Sequence, residues 1–370
     1  MDEVFIFWRD SIVKVSLRPA FYLSAMDKFN WAILGLGNIA GKFAEDLPLI
    51  EGAHLAAVGS RSLERAQAFA DNHGAEYAAG TYAGIFEGPR IDAVYIATPH
   101  VQHLELTLMC LERGVPVLCE KPLGLNLSEV EEMVAKARST GTYLMEALWT
   151  RFLPSTLKVQ ELIASGAIGE VLSVRSDFGF RANDLEVALS PTSLAPAAAP
   201  NLARNRILNP DLGGGALLDI GIYPQFLSQF LLGEPTEINA VARLSPQGVD
   251  LDTSVTCHHA GGQLSHNYST VLGRTKTEAL ILGTTGSIHW HPRWHEPSSF
   301  SILRGKNDPP ENFYFDYGGA NGYKYEAEAV MADVRAGRSE NALWGLEDSL
   351  ALHRTLTAIR TIIGLRYPQG

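Results

Sequence analysis

The 370-residue chain carries 41 acidic against 30 basic side chains, a formal net charge of −11, and 46% of its residues are hydrophobic. That length holds two domains with full cores, and the acidic balance argues against a nucleic-acid or anionic-membrane partner, since phosphate surfaces are bound through an excess of Lys and Arg. Cys110, Cys119 and Cys257 form neither an even framework nor a Cys-x-x-Cys pair, which fits a reducing, cytoplasmic setting, and no run reaches the length of a membrane span.

Residues 1–25 do not share the pattern that follows. Met1-Asp2-Glu3 is acidic where a secretory leader is basic, and the short apolar stretch after it is broken by Arg9 and Asp10. The segment reads as an extension, disordered or produced by an upstream start, with Met26 as the expected native start; an extra strand or targeting arm is the alternative.

Trp31-Ala32-Ile33-Leu34 reads as a buried parallel strand that runs into Gly35-Leu36-Gly37-Asn38-Ile39-Ala40. Gly35 permits the sharp turn, Gly37 lets backbone approach a pyrophosphate, and Ala40 allows close helix packing. A dinucleotide would therefore rest on the backbone of Gly35, Gly37, Asn38 and Ile39 at a helix N-terminus. A second strand, His54-Leu55-Ala56-Ala57-Val58-Gly59, follows at βαβ spacing. Its tip, Gly59-Ser60-Arg61-Ser62, lacks the carboxylate that holds a ribose 2′-hydroxyl and offers instead the Arg61 fork with Ser60 beside it, favouring NADP over NAD. Arg61 as a solvated residue before a helix capped by Ser60 or Ser62 is the plainer alternative.

The alternation continues through Ala93-Val94-Tyr95-Ile96-Ala97, ending at Thr98-Pro99-His100, and through Val115-Pro116-Val117-Leu118-Cys119. Lys121, in Glu120-Lys121-Pro122, thus falls at the C-terminal edge of a parallel sheet, where ligands of such sheets collect. Ser128 is expected to cap the next helix, and Tyr143-Leu144-Met145-Glu146 reads as a further strand. The expected domains are 26–148, binding NAD(P), and 149–370, an α+β domain with a large, mostly antiparallel open sheet, because alternating strands with Gly- and Pro-rich turns begin near Val171. An Ala- and Pro-rich segment, 181–209, is expected to be a lid or a mobile loop.

Within Gly213-Gly214-Gly215-Ala216-Leu217-Leu218-Asp219-Ile220-Gly221-Ile222-Tyr223, Asp219 and Tyr223 stand four apart, on one face if helical. A phenol is a poor base near neutrality, but a neighbouring ammonium favours its anion. Lys121 beside Tyr223 would then bring the phenol into range to exchange the hydroxyl proton as hydride passes between an alcohol carbon and nicotinamide. His289, His291 and His295 invite a metal reading, but alternation around Trp290 suits a strand with a polar face, so no metal is expected. Cys119 reads as a buried strand residue.

Taken in order, the glycine turn, Ala97-Thr98-Pro99-His100 with His103, Glu120-Lys121-Pro122 and Gly213-Gly214-Gly215-Ala216-Leu217-Leu218-Asp219-Ile220-Gly221 resemble the glucose-fructose oxidoreductase, inositol dehydrogenase and rhizopine-catabolism (Gfo/Idh/MocA) family. Met145-Glu146-Ala147-Leu148-Trp149-Thr150-Arg151-Phe152 is most similar to its dimeric dihydrodiol dehydrogenase and NADP-dependent D-xylose dehydrogenase branch. The resemblance implies Lys121 and Tyr223 as catalytic pair with Asp219 as the motif's aspartate. It implies cofactor contacts from Thr98, Pro99, His100, His103, Glu120 and Lys121, and substrate contacts from Trp149, Arg151 and Tyr223. It also implies a homodimer through the second sheet and oxidation of a sugar or vicinal diol. Reduction of a sugar carbonyl and a non-catalytic NADP sensor are the alternatives.

Overall fold

The computed structural model describes residues 28–185 and 205–368, with the backbone alone of 3–8 and 11–16. Strands β1 (Glu3–Trp8) and β2 (Ser11–Ser16) pair only with each other, antiparallel. Most of the 181–209 segment, including Pro196 to Pro200, lies outside the described residues.

The first large sheet is six-stranded and wholly parallel, in the order β5-β4-β3-β6-β7-β8. Its strands are β3 (Phe29–Leu34), β4 (Ala53–Gly59), β5 (Tyr77–Ala79), β6 (Ala93–Ile96), β7 (Val117–Glu120) and β8 (Leu144–Ala147). Every residue of β6 and β8 is buried, as a sheet covered on both faces requires. The crossovers carry helices α1 (Asn38–Asp46), α2 (Leu63–His73), α3 (His103–Leu111) and α4 (Leu127–Thr140). Ser62 caps α2 by accepting from the Arg65 amide at 3.3 Å, which is the plainer role weighed for it. The cap of α4 is Asn126, not Ser128: its side chain accepts from the Glu129 amide at 3.0 Å, so the helix begins a residue before the expected serine.

β8 leads through a tight turn, Trp149–Phe152, into α5 (Pro154–Ala164) and the second sheet. That sheet has eight strands in the order β10-β11-β12-β9-β13-β14-β15-β16. They are β9 (Val171–Gly179), β10 (Pro235–Leu244), β11 (Asp250–His259), β12 (Leu264–Thr270), β13 (Ala279–Gly283), β14 (Ser287–Trp290), β15 (Phe300–Leu303) and β16 (Glu311–Phe313). Only the β9–β12 pair is parallel. The fold is therefore α/β, with a Rossmann sheet joined to a mostly antiparallel one. Strand residues alternate between a buried face, with Val174, Val255, Ile281 and Ile288, and an outer face.

Helix Ile222–Leu232 covers the inner face, and the last helix, Leu346–Ile363, packs on it and on α4. Leu346 and Leu350 belong to the core of the first sheet, so the chain's end ties the two halves together. A second tie is Asp46 at the end of α1, whose carboxylate accepts from the amides of Asn321 (2.7 Å), Gly322 (2.9 Å) and Lys324 (3.1 Å).

Candidate active site

The two sheets face each other across a cavity of about 710 Å³ that runs from the glycine turn to Tyr223. At its first end Gly35 adopts φ +86°, and a Cβ there would lie 2.7 Å from the carbonyl carbon and oxygen of Ala97. Only glycine lets β3 turn this close to the end of β6. Helix α1 starts at Gly37 with no side-chain cap, leaving its first amides directed at the cavity, the arrangement that receives an anionic phosphate. Leu36, Asn38 and Ile39 line the same wall. Further along, Thr98 Oγ1 is buried without a partner among the described residues, a hydroxyl that a ligand in the cavity can satisfy. Ser60, Arg61, Ser62 and Arg65 close this end; both guanidiniums are exposed and neither has an acidic partner among the described residues. These residues fit a dinucleotide carrying phosphate charge.

At the other end Lys121 emerges from β7. Its Nζ donates to the Asp219 carbonyl at 2.5 Å, lies 3.6 Å from the Asp219 carboxylate, and sits over the Tyr223 ring, 5.0 Å from its centroid. The carbonyl is available for a reason readable in the chain. Leu217–Gly221 is wound as a π-helix, in which the donor opposite the Asp219 carbonyl is residue 224, and Pro224 has no N–H. The preceding glycines allow close contact: Gly215 has φ +118°, and a Cβ there would fall 2.2 Å from Asp250 Oδ1. Asp250 in turn accepts from the Leu217 amide at 2.8 Å and from Thr253 at 2.7 Å.

Tyr223 is buried, and its oxygen accepts from Trp149 Nε1 at 2.9 Å. The expectation that Lys121 draws this phenol down is not met. Burial, followed by the nearby Glu120 carboxylate, pushes Tyr223 well above the usual phenol value, because the ammonium faces the ring rather than the hydroxyl. Asp219 moves the other way: burial opposes its charge, but Arg206 at 2.7 Å and Lys121 overcome that and hold it well below the usual carboxylate range. Glu120 is fixed by the Tyr95 hydroxyl and by the Lys121 amide at 3.2 Å, with burial raising its carboxyl.

His100 lines the cavity as a neutral imidazole, lowered by burial and by Arg206. Since Arg206 only donates, Nε2 accepts from it at 3.3 Å and Nδ1–H donates to Gly213 O at 3.1 Å. Pro99 adjoins it.

Two expected site residues lie elsewhere. His103 is fully buried behind the wall, its ring nitrogens 2.8 Å from Pro122 O and 3.0 Å from Thr98 O, so it braces the two strand-end loops. Arg151 is not at the cavity either. It donates to Leu343 O at 3.0 Å and Gln160 at 3.1 Å and packs over Phe230, burial lowering it to about 10. Its side chain leaves the turn toward Leu343 and Phe230, while that of Trp149 stacks on Tyr323.

Other lining residues have no sequence motif to announce them: Phe178, Arg206 and Tyr323, whose ring stacks on Trp149 at 4.5 Å. Arg65, in the first turn of α2, joins Arg61 at the rim of the cavity. His289 and His291 point away, to Glu278 and to Ser299 and Ser301, while His295 enters the cavity. No group of three or more potential metal ligands occurs among the described residues, and none of their helices is long and apolar enough to cross a membrane. All three cysteines are buried and unpaired.

A phosphate-receiving helix end and a lysine–tyrosine pair in one cavity between a Rossmann sheet and an open sheet define a nicotinamide-dependent oxidoreductase. Residues 29–148 match the oxidoreductase family with NAD-binding Rossmann fold and residues 156–289 the GFO/IDH/MocA C-terminal domain: the chain belongs to the Gfo/Idh/MocA family. It is 34% identical to trans-1,2-dihydrobenzene-1,2-diol dehydrogenase of Mus musculus, over 92% of this chain and 98% of that one, and 35% identical to the Danio rerio enzyme of the same name with the same coverage. Among solved structures, the 3-ketoreductase KijD10 of Actinomadura kijaniata, with NADP and TDP-benzene, superimposes with a TM-score of 0.76 at 25% identity, covering 91% of this chain and 98% of that one. It has been solved also with a lysine changed to alanine and with a tyrosine changed to phenylalanine. An aldose-aldose oxidoreductase of Caulobacter crescentus, with glycerol, gives 0.74 at 25% identity, covering 90% and 97%.

Proposed function

We propose that the protein is an NADP-dependent dehydrogenase of a vicinal diol or sugar, with Tyr223 as acid and base and Lys121 as the cation that orients the reacting oxygen. The observation that carries this reading is the single cavity joining Gly37 and Arg61 to Lys121, Tyr223 and Trp149. The names of the mouse and zebrafish relatives and of the two structural neighbours favour a diol or sugar carbon. NADP over NAD rests on Arg61 and Arg65 beside a strand tip with no carboxylate.

When bound, the nicotinamide accepts or supplies hydride. Tyr223 handles the accompanying proton: the neutral phenol gives it to a carbonyl oxygen during reduction, and the phenolate takes it from the hydroxyl during oxidation. Trp149 Nε1–H aims at the phenol oxygen and stabilises its anion, while Lys121, steadied by the Asp219 carbonyl, orients the reacting oxygen. Because burial keeps Tyr223 protonated near neutrality, reduction of a sugar carbonyl is the second reading, and oxidation should accelerate with rising pH. His100, Asp219 and Arg206 hold the lysine's surroundings and do not exchange protons in this scheme.

The test is nicotinamide absorbance with NADP⁺ and NAD⁺ against trans-dihydrodiols, D-xylose, D-glucose and inositol, and the reverse reaction with NADPH and aldose or ketone substrates. Turnover with NADP⁺ or NADPH is expected; cofactor binding with no turnover in either direction defeats the reading.

We also propose a cytoplasmic homodimer. Val241, Tyr268, Leu282 and Leu303 share the outer face of the second sheet and are exposed. A monomer in light scattering at micromolar concentration discards it.

A further inference from the structure

Three carboxylates among the described residues line the cavity, and two are already engaged by the site itself: Glu120 by Tyr95 and the Lys121 amide, Asp219 by Arg206 and Lys121. The third, Glu296, is different. It is 23% exposed at the substrate end, and its partners come from its own chain neighbours: Arg293 at 2.6 and 2.7 Å and His295 Nε2 at 3.2 Å. Burial disfavours its charge, yet His295 and Arg293 hold it below the usual carboxylate value, so it stands ionised in the cavity. An ionised carboxylate has about four acceptor positions, and these contacts leave room for hydroxyl donors.

The neighbouring histidine makes the position rigid. His295 is 4% exposed, clasped between Phe178 (4.1 Å), Tyr223 (4.9 Å) and Trp149 (6.4 Å), and its carbonyl accepts from Thr150 at 2.6 Å. Its Nδ1 is buried without a partner among the described residues. With Nε2–H donating to Glu296, that nitrogen is an unused acceptor beside the tyrosine. An anionic acceptor and a second empty acceptor, set among Trp149, Tyr323 and Phe178, suit a ring with an apolar face and several hydroxyl donors, and oppose a second negative charge.

We propose that Glu296, oriented by His295 and Arg293, is the hydroxyl-recognising residue of the substrate pocket and selects neutral polyols or sugars against uronates and other acid sugars. This rests on the dehydrogenase reading of the same cavity. The experiment titrates the NADP⁺-loaded enzyme with D-xylose, D-glucose, a trans-dihydrodiol and D-glucuronate, following tryptophan fluorescence for binding and nicotinamide absorbance for turnover, in wild type, Glu296→Gln and Glu296→Ala. Wild type should bind a neutral sugar and reject glucuronate. Both variants should weaken the sugar about tenfold, the cost of a lost charge-assisted hydrogen bond, weaken the dihydrodiol, which offers fewer hydroxyl donors, by less, leave the NADP⁺ affinity within twofold, and admit glucuronate. Equal binding of glucose and glucuronate by wild type, no sugar binding at all, or equal weakening of every ligand in both variants overturns the proposal. Selective sugar binding without turnover of any ligand upholds the subsite and defeats the dehydrogenase reading instead.

Discussion

The two ends of the cavity are built from different materials. At the Gly37 end the contacts offered are main-chain amides at a helix start, made possible by one glycine at φ +86°. At the Tyr223 end they are side chains from five separate segments: Lys121, Trp149, Arg206, Tyr223 and His295. A backbone site depends on conformation and tolerates most side-chain change; a side-chain site depends on identity and on the shell that aims each group. Substitutions at the two ends should therefore separate cofactor binding from chemistry.

The largest effect is expected at Tyr223. Tyr223→Phe keeps the buried ring and its place over Lys121 but removes the hydroxyl proposed to carry the proton, so kcat should fall by about 10²- to 10⁴-fold in both directions with NADP⁺ affinity unchanged. Steady-state rates with fluorescence titration of the cofactor check this; a loss of cofactor affinity of similar size would mean that the two ends are one unit. Gly35→Val attacks the other material. Positive φ and a Cβ 2.7 Å from Ala97 backbone should cost about 2–4 kcal/mol in stability and abolish tight cofactor binding, measured by denaturant unfolding and by titration. Arg61→Ala tests the side chains proposed to choose between the two cofactors. NADP⁺ should weaken about tenfold and NAD⁺ hardly at all, and the double change with Arg65 should widen the gap.

The same division explains what the sequence revealed. The cofactor end was legible because glycine spacing, strand runs and the Ser62 cap are local signals, each tied to a backbone conformation that few residues adopt. Lys121 and Asp219 were legible through position and motif. The place of Tyr223 at the cavity is legible in the same way, but the direction of its titration is not, because proximity to an ammonium is visible in a pattern and burial beside Glu120 is not. The place of Arg151 is not legible, since in a 3-10 turn a residue two beyond Trp149 leaves in a different direction, here toward Leu343. His103 has the same origin: it follows the strand-end segment but begins α3 beneath it. Arg206, Phe178 and Tyr323 reach the cavity from loops and strands far apart in the chain, and no spacing records that convergence.

The smallest predicted effect concerns the segment that carries Asp219. Two buried aspartates hold it with opposite signs. Asp219, depressed by Arg206 and Lys121 against the opposing effect of burial, contributes stability that is present above its unfolded pKa near 3.9 and lost as pH falls through its lower folded value. Asp250 is raised by burial to about 6, its Oδ1 having no partner among the described residues. Between pH 4 and 6 the folded chain keeps a proton there that the unfolded chain has released, so this group's contribution is fully present below pH 4 and has gone above pH 6. The difference is about 3 kcal/mol at most. Asp250→Asn retains an acceptor for the Leu217 amide and Thr253 while removing the charge. Its unfolding free energy should accordingly lose the downward slope that wild type shows between pH 4 and 6. The net gain at pH 7 should be only about 1 kcal/mol, because the new amide N–H groups find no acceptor beside Gly215. A variant whose pH profile parallels wild type would show that Asp250 does not titrate in this range, and that Asp219 alone sets the acid limit of the segment.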